Sequence, residues 1–131
     1  MTWLWVMFGS AIGGGTRYWL SGLAATHISD TFPIGTLIIN VTGSFIIGFF
    51  GALTGPDGRL FVSTDTRQFV MTGICGGYTT FSSFSLQTLN LANDREWGLA
   101  GVNVVASVVL CLVAVWLGVA AAGALNQLKG A

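Results

Sequence analysis

The sequence predicts an all-α membrane protein of four transmembrane helices, the third broken mid-membrane. Three observations carry that expectation: 8% of the residues are charged, the mean hydropathy is +0.75, and four long apolar runs alternate with short polar stretches. A soluble domain carries roughly a quarter charged residues. A bilayer core of about 30 Å takes roughly 20 residues of helix, so four crossings consume most of the 131 residues and leave one domain, 1–131. Lys and Arg total 5, as do Asp and Glu, so no basic field exists to hold nucleic acid, and the expected surroundings are lipid. Cys75 and Cys111 fall inside apolar segments, where a free Cys behaves as a small hydrophobe. His27 is the single histidine, which speaks against a zinc or haem enzyme.

The first run covers about 2–25. A cleaved signal peptide would need a positively charged start, and the first charge here is Arg17, well inside the run. The second covers about 35–54, after a loop with His27, Asp30 and Pro33. The third covers about 67–91 with a break expected at 76–80, where Gly76-Gly77-Tyr78-Thr79-Thr80 is poor helix and Thr79 or Thr80 is a natural N-cap for the restart. The fourth, about 97–125, is the least interrupted. An even helix number puts both termini on one side with Arg59, Arg67 and Lys129, against Arg95 opposite. A bias of three charges to one is small enough to let both orientations insert, which hints at an antiparallel assembly.

Polar residues inside hydrocarbon need a partner or a role. Thr36, Asn40, Ser44 and Gly48 recur every four residues, as do Asn103, Ser107 and Cys111, and Gly13, Arg17 and Ser21. Each set shares one helical face. Such stripes serve either as glue between helices or as a wet path; small residues such as Ser44 and Ser21 favour the first, and the mid-bilayer amide of Asn40 is open to both. Arg17 can snorkel, cap the broken third helix through its carbonyls, or attract an anion. A fixed cation in a pore would hold a small anion and slow its exit, which favours the first two roles. Asp30, Asp57, Asp65, Asp94 and Glu96 all sit in or beside loops, whereas a proton-coupled drug exporter requires a buried carboxylate.

The segment Gly73 to Ser85 reads GICGGYTTFSSFS and joins a helix break to a cluster of hydroxyls. Breaks at bilayer depth are tolerated where freed backbone groups bind ions or line a cavity, and freed carbonyls suit a cation such as sodium. Phe81 and Phe84 lie three apart on one face. Their positive ring edges can contact an anion without adding formal charge.

With GGGTRY at Gly13 to Tyr18, GTLIINVTGSF at Gly35 to Phe45 and GGYTTFSSFS at Gly76 to Ser85, the chain resembles the Fluc, or CrcB, family of fluoride channels over essentially its whole length. The resemblance implies a dual-topology homodimer of oppositely oriented subunits in the cell (inner) membrane, enclosing two pores with a sodium ion at the centre. It maps the sodium-binding carbonyls to Gly76 and Thr79, the paired phenylalanines to Phe81 and Phe84, and the pore asparagine to Asn40. Thr80, Ser83 and Ser107 are further hydroxyls of the implied anion pathway. Asn103 stands where the family often has a Tyr, and Cys111 where a hydroxyl is sometimes found. The function implied is passive fluoride export that lowers cytoplasmic fluoride, with no enzymatic step. The rival readings are a small four-helix proton-coupled multidrug exporter and a non-transporting scaffold.

Overall fold

The computed structural model describes residues 1–129. They form α1 (Thr2–His27), α2 (Ile34–Leu53), α3 (64–78), α4 (Phe81–Asn93) and α5 (Trp97–Lys129), with no strand among the described residues. Because α3 and α4 are two halves of one path, the chain is a four-helix protein. The Lys129 side chain, counted above for orientation, lies outside the described residues.

The third path departs from a regular helix twice. It opens as an α-turn over Thr64–Gln68, widens to π-type winding over Phe69–Cys75, and tightens again over Gly76–Tyr78. Its start precedes residue 67 because the Ser63 hydroxyl caps it, accepting the Thr66 N–H at 3.1 Å. The interruption is narrower than the expected 76–80. Gly76 and Gly77 stay helical, and only Thr79 (φ −82°, ψ 158°) and Thr80 (φ −153°, ψ 118°) run extended. Tertiary packing overrides the low helix propensity at Gly77: a Cβ there would lie 2.7 Å from the Ser10 carbonyl oxygen, so α1 and α3 meet backbone to backbone.

The same close approach recurs on the other side of the protein. A Cβ on Gly48 would sit 2.5 Å from the Val115 carbonyl oxygen, and one on Gly118 would sit 2.3 Å from that of Phe45. These two glycines seat α2 directly on α5, the most extensive helix pair of the fold. Such packing needs no hydrophobic drive, which is absent in lipid; van der Waals contact and small residues supply the attachment.

The distribution of polarity is inverted relative to a soluble bundle. On α5 the buried stripe is Ala100, Asn103, Ser107, Ala114, Gly118 and Ala122, whereas Val105, Leu112, Trp116 and Val119 face outward. Trp3, Phe8 and Trp19 of α1 are likewise exposed. An apolar surface this continuous suits hydrocarbon and would be an association hazard in water. By length and composition, Ile34–Leu53 and Trp97–Leu128 each qualify to cross a bilayer. The five acidic side chains are placed at the ends, with Asp30, Asp57, Asp94 and Glu96 exposed and Asp65 accepting the Thr2 hydroxyl at 2.6 Å.

Arginines tie the helix ends at one side. Arg67 donates from Nη1 to the Gly51 carbonyl at 3.1 Å and to the Thr54 hydroxyl at 2.6 Å, closing the C-terminus of α2 where a cation complements the helix dipole. Asn126 accepts the Arg59 N–H at 2.8 Å and donates to the Ala52 carbonyl at 3.2 Å, which carries α5 in ordered contact beyond residue 125.

Gly13→Ala should lower the thermal midpoint of the purified protein by several degrees, a loss of about 1–3 kcal/mol, because its Cβ would meet the Ile74 carbonyl oxygen at 2.2 Å. Gly123→Ala, with nothing within 4 Å of the new carbon, should leave the midpoint unchanged or raise it. Equal losses in the two melts would reject the backbone-contact account.

Candidate functional site

The site begins at the two extended residues. Leaving the helix at Thr79 removes the Thr80 N–H from the position in which it would have closed on the Gly76 carbonyl. That N–H is donated instead to Asn40 Oδ1 at 2.8 Å, and Asn40 Nδ2 donates back to the Thr80 carbonyl at 3.0 Å. One primary amide of α2 thus satisfies both backbone groups of an extended residue, as a neighbouring strand would. Only one of the two Nδ2 hydrogens is used, so Asn40 retains a donor.

Each half of the path is closed locally. Cys75 O accepts both the Thr79 N–H and the Thr79 hydroxyl, each at 3.0 Å, which finishes α3. Thr80 is the N-cap of α4, its hydroxyl accepting the Ser83 N–H at 3.2 Å. Arg17 of α1, partly buried, donates from Nε to the Gly77 carbonyl at 3.3 Å and places its charge at the negative end of α3. Tyr78 is buried against Gly43, and its hydroxyl lies 2.8 Å from that of Thr42.

These connections leave a cavity of about 380 Å³ between α2, the break and α5. Asn40, Thr80, Phe81, Phe84 and Ser107 line it, and so do Gly76 and Thr79. Of the remaining residues expected at a site, Ser83 and Arg17 do not line it. Ser83 contributes its backbone to the α4 cap, and Arg17 serves Gly77 from the α1 side. The walls between the polar groups are apolar, including Ile47, Val108 and Leu112, and no charged side chain lines the cavity among the described residues.

The two phenylalanines are paired but unequal. Their ring centroids are 5.4 Å apart with planes at 53°, yet Phe84 is 9% exposed and Phe81 77% exposed. Phe84 belongs to the cavity wall of its own chain, and Phe81 projects from it.

Asn103 does not line the cavity. It is 2% exposed and donates from Nδ2 to the Thr88 hydroxyl at 2.8 Å, while Thr88 donates to the Phe84 carbonyl at 2.7 Å. Ser107 donates to Asn103 Oδ1 at 3.4 Å, beyond the usual length of a hydroxyl hydrogen bond, so this weak contact leaves the proton able to swing toward the cavity at small cost. Asn103 therefore binds α4 to α5 behind the Phe84 ring. Thr88 was not singled out from the sequence, although its position four residues after Phe84 on the same face was the available signal.

A donor set of an amide, a hydroxyl and ring edges, without formal charge, can bind an anion weakly enough to release it. The model of the CrcB-like protein family, described as Camphor Resistance (CrcB), matches residues 4–119. The chain belongs to the CrcB-like family. Among its relatives, a protein of Opitutus terrae named fluoride-specific ion channel FluC is 63% identical over 97% of this chain and 96% of that one. Proteins with the same name from Methylocella silvestris and Rhodospirillum rubrum are each 58% identical, covering 100% and 97% of this chain and 100% and 98% of their own lengths. With the CrcB-like family, the inverted polarity of the bundle finds its reason in a membrane setting.

Asn40→Ala should destabilise the protein by about 2–4 kcal/mol, since the Thr80 N–H and carbonyl both lose their partner. Thr80→Val should cost about 1 kcal/mol through the lost cap, and Thr80→Ser should restore it. Thermal unfolding of the purified variants measures all three.

Proposed function

We propose that this chain is a fluoride-selective channel of the cell (inner) membrane, conducting passively and lowering cytoplasmic fluoride. The relatives bear that function in their names, and the observation in this chain that carries it is the uncharged cavity holding Asn40, Phe81, Phe84 and Ser107 together. Fluoride is small and strongly hydrated, so a selective path must replace its water with placed donors while remaining too tight for chloride. The spare Asn40 N–H and the Ser107 hydroxyl supply hydrogen-bond donors, and the ring edges of Phe81 and Phe84 supply positive rims. Thr80 sets the start of α4 and with it the direction of both rings.

The working unit in this reading is an antiparallel homodimer. Phe81 is a large aromatic ring left 77% exposed by its own chain, and a second copy laid against the cavity would cover it. The small bias of Lys and Arg between the two sides, three charges to one, agrees with insertion in both orientations. A sodium ion is assigned to the Gly76 and Thr79 carbonyls at the dimer centre. The fit rests on Gly76, whose helical donor, the Thr80 N–H, is committed to Asn40. Among the described residues no three or more His, Cys, Asp or Glu side chains cluster, so a hard cation would be held by backbone oxygens. Two carbonyls from one chain do not complete its shell, and a symmetry-related pair brings it to four. When bound, such an ion supplies fixed charge that locks the two breaks together.

The exporter reading receives no support from the relatives, which are named as channels, and no carboxylate lines the cavity among the described residues. The chain is likewise read as a transport protein and not as an enzyme. Phe81→Ile should abolish fluoride efflux from reconstituted liposomes, followed with a fluoride electrode, while the protein elutes as a dimer. Chloride should remain trapped in parallel vesicles. Undiminished efflux in the variant would reject the role of the ring edge.

A further inference from the structure

Two side chains on the cavity wall have no part in the scheme above. Cys75 ends the π-wound segment of α3 and is 3% exposed, and Cys111 stands on α5 one turn beyond Ser107, partly exposed. Both are free thiols, both line the same cavity of about 380 Å³, and they are the only cysteines of the chain. They line it from different helices, Cys75 from α3 one turn before the break and Cys111 from α5.

We propose that Cys75 and Cys111 make this cavity a binding site for a soft, thiophilic cation such as Ag(I), and that its occupation closes the anion pathway. The closure rests on the functional reading given above; the binding does not. The wall they share carries Ile47, Val108, Leu112 and the phenylalanine rings beside the neutral polar groups of Asn40, Thr80 and Ser107, without a carboxylate or imidazole among the described lining residues. A hard cation gains little there beyond its own hydration, whereas a soft one exchanges water for sulfur. On binding, one thiol loses its proton to solvent as the S–Ag bond forms, so the product is neutral and tolerates an apolar wall. The second sulfur coordinates through a lone pair. No electron is transferred, and because a proton is released the affinity falls with decreasing pH. The ion would rest beside Phe81 and Phe84, where a permeating anion must pass.

Purified protein is equilibrated with silver nitrate in chloride-free buffer, desalted, and analysed for metal content. About one silver per chain is expected in the wild type and none above background in Cys75→Ala/Cys111→Ala. Micromolar silver should slow fluoride efflux at least tenfold in wild-type liposomes and leave the rate in Cys111→Ala unchanged. Equal silver retention by the double variant, or none by the wild type, would overturn the site. Retention lost in the variants, with wild-type efflux undiminished by silver, would overturn the closure. A wild type that conducts no fluoride without silver would overturn the functional reading, and the metal count would still decide the site. Should the double variant not fold, Cys111→Ala decides through at least a tenfold weaker silver affinity; an unchanged affinity overturns the paired site.

Discussion

The reciprocal pair between the Asn40 amide and the Thr80 backbone governs the centre of this protein. A chain that leaves helical geometry inside hydrocarbon exposes an N–H and a carbonyl that water cannot reach, at a cost of several kcal/mol for each. A single side chain from α2 removes both costs at once. With Thr80 held extended, its hydroxyl is in place to cap α4, and the first turn of α4 then carries Phe81 and Phe84. The polar accounting of the break and the direction of the rings thus depend on one amide.

Around that centre, attachment is by contact of backbones. Gly13 and Gly77 let α1 lie on α3, and Gly48 and Gly118 let α2 lie on α5, so the two halves of the bundle are each closed by a seam without side chains. The seam beside α3 has a local consequence: with Gly77 packed on Ser10 the winding continues through Tyr78, and the interruption falls on two threonines. Threonines suit extended geometry better than helix, and each bears a hydroxyl with which to finish a helix end. Arg17 contributes from the same side by occupying the Gly77 carbonyl.

Much of this was legible in the residues. The four-residue spacing of Thr36, Asn40, Ser44 and Gly48 marked an inward face, and Thr36 and Gly48 are buried there. The hydroxyls ahead of a new apolar turn offered Thr79 or Thr80 as its N-cap, and Thr80 takes the role. What remained hidden was tertiary. Propensity spread the break over five residues because it cannot register α1 pressing on Gly77. Nothing local announces that Asn40 pairs with a backbone forty positions away, so its amide read as a free donor when half of its capacity is structural. Asn103 likewise read as one member of a polar stripe, standing where the family often has a Tyr, and is a bolt joining α4 to α5 through Thr88. π-type winding over Phe69–Cys75 has no compositional signature in FVMTGIC.

The length of α5 carries a consequence for the whole assembly. Its 33 residues rise about 50 Å at 1.5 Å each, well over the roughly 30 Å of a hydrocarbon layer. The surplus is fastened by Asn126 and Arg59 to the loop that follows α2. A rod anchored at its far end and too tall for its host answers a thinner membrane by leaning. Because α2 is seated on it through glycines, the lean would be passed to the helix that bears Asn40. Lipid chain length thereby becomes a mechanical input to the cavity wall at Asn40.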